Sequence, residues 1–268
     1  MVGPDYTVVS PYLEPVIELF DVSPWIVAWC FLALMSGGLV KGALGVGTPL
    51  LPVPLMSLVL PPQLAVVMMA IPVVVANLVQ VSEAGNPAYT LRRFWPAFIM
   101  LLLGTWVGVR ILAVIDERWL LGIVGVTVIA FALLQASSRR FHIPPGLEKA
   151  AGGVFGCAAG IIGGLSSMFG PMLIIYLVSI PDLVKDRFVG SISFLYIAAV
   201  IPWTINLFVF GLMDTATLIW SCLAVVPVTL GLMLGKRLRR RISEVRFRLL
   251  VIAILVLSGI TMLWRAAQ

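Results

Sequence analysis

The chain has 268 residues, 61% of them hydrophobic and 11% charged, with a formal net charge of +6. A soluble domain carries about 25% charged residues, so this composition excludes a soluble globular protein and describes an integral membrane protein. The positive balance does not call for a nucleic-acid partner, because the cations gather at the ends of apolar runs, as cytoplasmic loops of membrane proteins require.

The N-terminal segment 1–24 lacks a basic region and carries Asp5, Glu14, Glu18 and Asp21. It reads as a short acidic pre-segment rather than a secretory signal. Apolar runs then fall at about 25–44, 47–60, 63–82, 94–115 and 119–138, a first membrane repeat over 25–138. A basic connector at 139–149 follows, with Arg139, Arg140 and Lys149. The second repeat, 150–268, has runs at about 150–166, 168–181, 187–211, 215–235 and 247–264. A spanning helix needs about 20 apolar residues. The runs 47–60 and 168–181 are too short and contain Pro49, Pro52 and Pro54, or Pro171. They are either short tilted helices or the return limbs of re-entrant hairpins.

The two series match internally. Gly104 and Gly108 followed by Arg110 align with Gly231 and Gly235 followed by Arg237. Ile71-Pro72 with Asn77 pairs with Ile201-Pro202 with Asn206, and Pro49 with Pro171. The positive-inside rule places the loops with Arg92 and Arg93, with Lys185 and Arg187, and with Lys236 to Arg248 in the cytoplasm. Asp214 and the N-terminus then lie outside. This holds only when each half crosses an odd number of times, so the expected fold is an all-α integral membrane protein of two inverted repeats, with broken helices at the glycine-rich stretches.

Those stretches carry the functional reading. Lys41-Gly-Ala-Leu-Gly45-Val46-Gly47-Thr48-Pro49 and Gly163 to Pro171 break apolar runs at membrane depth, in matching places of the two halves. Lipid cannot satisfy unwound backbone, so these stretches face protein or a water-filled cavity. Short helices starting at Thr48–Pro49 and at Gly170–Pro171 would aim two N-termini inward. Their free N–H groups and dipoles favour an anion. Gly45, Val46, Gly47, Met168, Phe169 and Gly170 offer backbone, and Thr48, Ser166 and Ser167 offer hydroxyl donors. Asn77, Gln80 and Asn206 add amides on the third run of each half. Lys41 biases the local potential, and one or more of the aromatics Phe169, Tyr176, Tyr196 and Trp203 can wall the apolar part of an organic anion. The charged head is expected on the neutral donors, with Lys41 mattering less than Asn206. Plainer readings stand beside these: small-residue packing for the glycines, helix–helix glue for the asparagines, a snorkelling lysine for Lys41, and core aromatics.

With these residues in view, the chain resembles the sulfite exporter TauE/SafE family, the TSUP permeases, over about residues 25 to 265. The carrying features are the glycine stretch before a proline-rich short run, the asparagine of the third run, and repetition of the pattern after a basic connector. Members often carry more consecutive glycines than Gly45-Val46-Gly47. The resemblance implies a permease for small anions such as sulfite and organosulfonates, with small carboxylates as another substrate class.

Other functions fit less well. An anion channel needs no pair of inverted broken helices. An intramembrane enzyme needs titratable pairs that the runs lack, and no phosphate-binding glycine-lysine loop is present. The three cysteines, Cys30, Cys157 and Cys222, and the one histidine, His142, suggest small core residues and a loop position rather than a metal site or disulfides. No cofactor is expected. The expected partners are a small anion and the lipid bilayer of the cell membrane, with no nucleic acid and a homodimer left open. The topology is testable by cysteine labelling in oriented vesicles. Cysteines at 140 and 240 should label from one side and a cysteine at 214 from the other; labelling of 140 and 240 from opposite sides removes the inverted arrangement.

Overall fold

The computed structural model describes residues 23–45, 47–83, 87–136, 142–183, 185–238 and 244–268. Most of the acidic pre-segment, Val46 and residues 137–141, which include the start of the basic connector, lie outside the described residues.

The first half contains α1 (Pro24–Leu44), α2 (Pro52–Met56), α3 (Pro62–Val67), α4 (Ala70–Glu83), α5 (Pro87–Leu112) and α6 (Glu117–Ala136). The second contains α7 (Glu148–Ser166), α8 (Gly170–Val178), α9 (Lys185–Val209), α10 (Thr215–Leu223), α11 (Val225–Leu238) and α12 (Glu244–Ala266). Among the described residues seven helices are long and apolar enough to cross a membrane, with Thr215–Leu238 counted as one. Prolines open α1, α2, α3 and α8, where the missing N–H has no intrahelical partner to lose. Asp214 caps α10 by accepting from the Thr217 N–H at 2.7 Å.

Glycines set the helix pairing. In α5 and α7, a Cβ at Gly104, Gly108, Gly156 or Gly160 would overlap backbone of the other helix. In α1 and α11 the same holds for Gly38, Gly42, Gly231 and Gly235. Backbone therefore lies against backbone, the close approach that small residues allow in membranes. The register rises together in both pairs, Gly38 beside Val228 and Gly42 beside Leu232, Gly156 beside Ala97 and Gly160 beside Leu101, so both pairs are parallel. In α6 and α12, Gly125 meets Gly259 and Leu263, and Gly122 faces Ala266, so that pair is antiparallel. The glycines that the sequence aligns, 104/108 with 231/235, thus make equivalent contacts in their two halves.

The two short runs are return limbs. The α8 helix has nine residues, about 13 Å at 1.5 Å per residue, against about 30 Å of hydrocarbon. It runs back along α7. The Tyr176 hydroxyl donates to the Glu148 carbonyl at 3.1 Å, the Tyr176 ring stacks on Phe155, and the Ile143 N–H donates to the Ser179 carbonyl at 2.9 Å. In the first half Trp29 Nε1 donates to the Leu55 carbonyl at 2.8 Å, beside the start of α1. Arg265, at the end of α12, donates to the Ser57 carbonyl. Each half therefore begins with a helical hairpin whose tip is the glycine stretch.

Two expectations need correction. The first short helix begins at Pro52, after a turn over residues 48–51, and not at Thr48–Pro49. Prolines at 49, 52 and 54 remove N–H donors, so Pro52 cannot close a helical bond onto the Thr48 carbonyl. That carbonyl lies instead against Gly37. The cysteines are not fully buried: Cys30 and Cys157 are half-buried, Cys30 packing against the edge of the core, and Cys222 is exposed.

One end of the bundle is tied by charge. Arg93 grips Glu148 through Nε at 2.7 Å and Nη2 at 2.9 Å, reaches Asp182 at 2.7 Å, and donates to the Tyr89 hydroxyl at 2.6 Å. This links the starts of α5 and α7 to the loop after α8. The Arg93 guanidinium holds the exposed Asp182 carboxyl below its usual range, so the stabilisation this carboxylate adds is present above the ordinary carboxylate pKa and is lost as pH falls through its lowered value. Just beyond, α5 bends at Phe94, with φ −109° and ψ 24°, two residues before Pro96.

The backbone contact between α5 and α7 makes a direct prediction. Gly160→Leu should lower stability by about 1–3 kcal/mol or more, the usual cost of overpacking. Gly146→Ala, where nothing lies within 4 Å of an added Cβ, should leave it unchanged. Thermal denaturation in detergent compares the two.

Candidate anion site at the hairpin tips

The tips meet. Gly47, Pro49 and Leu50 from the first hairpin, Met168, Gly170, Pro171 and Ile174 from the second, with Phe131 of α6 and Tyr196 of α9, enclose a cavity of about 10 Å³. That is room for about one water, so the site is closed. Both tips have left-handed backbone. Gly45 ends α1 at φ 83° and returns its N–H to the Lys41 carbonyl at 2.8 Å. Gly47 follows at φ 94°. Ser167 ends α7 at φ 61° with its N–H on the Gly163 carbonyl at 2.7 Å. A non-glycine residue there is uncommon. The Ser167 hydroxyl is buried and has no hydrogen-bond partner. Ser166 is engaged at the same tip, donating to the Ile162 carbonyl at 2.6 Å and accepting from the Met168 N–H at 3.3 Å.

Lys41 lies in the last turn of α1 and is 7% exposed, so it does not snorkel. Its ammonium donates to Asn77 Oδ1 at 2.6 Å and stands 5.9 Å from the centre of the Tyr196 ring. The Asn77 amide is oriented by its own bond to the Val73 carbonyl at 2.8 Å. Among the described residues no carboxylate pairs with Lys41. Thr48 is buried in the turn that follows the first tip.

Other residues expected at the site hold up its walls. Phe169 meets Trp203 edge-on at 6.1 Å. Trp203 Nε1 donates to the Gly164 carbonyl at 3.0 Å, satisfying one of the acceptors left at the end of α7. Asn206, one turn beyond Trp203, is half-buried and does not line the cavity. Val46 and the Gln80 side chain lie outside the described residues. Sequence reasoning did not single out Phe131, Leu50 or Ile174, and it treated Tyr196 only as one of several aromatics. Tyr196 shares a face of α9 with Trp203, two turns on, and that spacing was the available signal. Nothing local marks Phe131, which arrives from a different helix.

The chain matches the family described as sulfite exporter TauE/SafE over residues 30–262. It belongs to that family. The family is one of membrane transporters, and with seven apolar helices this member is a multi-pass membrane protein. No curated protein and no solved structure matches the chain.

The tips also define what glycine does at each of them. An L-residue at Gly47 would be strained by the positive φ, and a Cβ at Gly170 would overlap the Tyr196 hydroxyl. Gly47→Val and Gly170→Val should each abolish transport while the protein still inserts. Uptake into proteoliposomes, alongside quantified membrane expression, tests both; normal uptake by either variant returns that glycine to a packing role.

Proposed function

We propose that this TauE/SafE member is a secondary transporter for a small anion, most simply a sulfur oxyanion such as sulfite or an organosulfonate. The anion binds between the two hairpin tips, and access to it alternates between the two sides of the membrane. The observation that carries this is a buried lysine, without a carboxylate partner among the described residues, held on the face of the Tyr196 ring that lines a closed cavity between the two hairpin tips. A buried ammonium left with only an amide and a ring face is undercompensated, and an anion in the cavity supplies the missing charge. The N-terminus of α8 and the Ser167 hydroxyl add neutral donors of the kind that favour anions at helix starts.

Inversion of the two halves is supported by helix direction. The α12 helix ends beside the start of α1 and runs against α6, which leads through the connector into α7. The equivalent helices α1 and α7 then point opposite ways. The starts of α5, α7 and α9 and the end of α11, which carry Arg92, Arg93, Lys149, Arg187, Lys236 and Arg237, are read as the cytoplasmic end, and the N-terminus as external. With inverted halves, rocking one half against the other exposes a central site to each side in turn.

Release remains feasible, because Asn77 and Tyr196 already share the Lys41 ammonium when the site is empty, and they regain it as the anion leaves. Substrate is tested by thermal shift of the purified protein against sulfite, sulfate, small sulfonates and carboxylates, since a ligand of the folded state raises its stability by mass action. Sulfite or a sulfonate should stabilise most; stabilisation by carboxylates alone would move the substrate class. Lys41→Gln should cost about 3–5 kcal/mol of binding, the price of breaking a buried charge pair, which is more than a hundredfold in affinity. Asn206→Ala should change affinity only a few-fold, since Asn206 is half-buried and it is Asn77, not Asn206, that holds the buried Lys41 ammonium. This order is the reverse of the one expected from sequence alone, and a larger loss in Asn206→Ala would restore the neutral-donor arrangement.

A further inference from the structure

One side chain bridges the two hairpins. The Tyr196 ring faces Lys41 of the first hairpin at 5.9 Å. Its hydroxyl lies against Gly170, the first residue of α8, at the place a Cβ would take. It is 8% exposed and lines the cavity between the tips.

The cavity of about 10 Å³ holds about one water and is too small for any sulfur oxyanion. A side chain must withdraw when ligand enters. Pro49 and Pro171 are held by their rings, and Gly47 and Gly170 have nothing to move. Of the rest, only Tyr196 carries a hydrogen-bonding side chain, and only it touches Lys41 on one hand and the start of α8 on the other. Its ring thus carries the ammonium at one end while its hydroxyl abuts the helix end, so this one side chain fills the space between the two groups that the charged head of an anion would meet. We infer that Tyr196 occupies part of the anion seat in the closed state and sets the largest ligand the site accepts. It is a specificity-determining residue, and the absence of a side chain at Gly170 is the complement of its hydroxyl. This inference rests on the anion-site reading above.

The test is a size series that does not depend on the natural substrate. The three native cysteines are replaced and Met168→Cys is introduced at the cavity wall. Reaction rates are then measured in vesicles with methanethiosulfonate reagents carrying a small or a bulky anionic head. With Tyr196 present the bulky reagent should lag well behind the small one. Tyr196→Ala should raise the bulky-to-small rate ratio by about tenfold or more, the scale on which pocket shape discriminates. An unchanged ratio in a folded Tyr196→Ala protein overturns the inference, whatever the substrate proves to be. A second pair guards against misfolding. Gly170→Ala alone should lose transport, and Gly170→Ala with Tyr196→Phe should regain it, because the atom in the way has been removed. Failure of that rescue, with both proteins folded, also counts against the inference. Absence of sulfite or sulfonate binding, with the rate ratio shifted as expected, would remove the substrate assignment and leave the role of Tyr196 standing.

Discussion

Inside a bilayer, a carbonyl or N–H released by a break in a helix has no water to turn to, and each one left unpaired costs several kcal/mol. Every unusual feature of this chain follows from that constraint. The α7 break is closed by the Trp203 indole on the Gly164 carbonyl and by the Ser167 N–H on Gly163. The α1 break is closed by Gly45 on Lys41. A third interruption, between α3 and α4, is bridged by Ser221 of α10, whose hydroxyl donates to the Met68 carbonyl and accepts from the Ile71 N–H, both at 3.0 Å. Each break is repaired by a group from the same tip or from a neighbouring helix, so the breaks exist only in the assembled bundle.

The glycine pairs are what bring those repairs within reach. Helices α5 and α7, and α1 and α11, touch backbone to backbone, and each hairpin is thereby anchored to a helix of the other half. Packing of this kind depends on shape rather than on a hydrophobic drive, since lipid is as apolar as the side chains. It yields stiff paired elements that carry the two tips together. The site is a consequence of that crosswise pairing, because neither half alone encloses it.

Against this neutral framework the charges are few and unequal. Lys41 is buried with an amide and an aromatic ring, an expensive position for a charge inside a membrane protein. Arg93, by contrast, is saturated by Glu148, Asp182 and Tyr89 at the rim. The return limb of the second hairpin is thus tied by ions, and that of the first by Trp29 and Arg265 on backbone carbonyls. Ionic ties answer to salt and pH where they are exposed, so the two ends of the bundle are held by different physics even though the halves match in sequence.

Much of this was legible in the order of residues. Hydropathy marks the apolar runs because a spanning helix must be long and apolar. Glycine and proline mark the two breaks because they most strongly punctuate such runs, and the aligned pairs 104/108 and 231/235 make equivalent backbone contacts. Lys41, Gly47 and Gly170 stand out as residues a lipid-facing helix would not carry. Which surfaces meet was not legible, because contact between distant segments leaves no local periodicity. That is why Phe131 went unnoticed, why Asn206 looked equivalent to Asn77 though only Asn77 holds Lys41, and why the first short helix was placed three residues early. Only the folded chain, by laying one hairpin tip on the other and placing Tyr196 between them, decides what kind of pocket the breaks enclose.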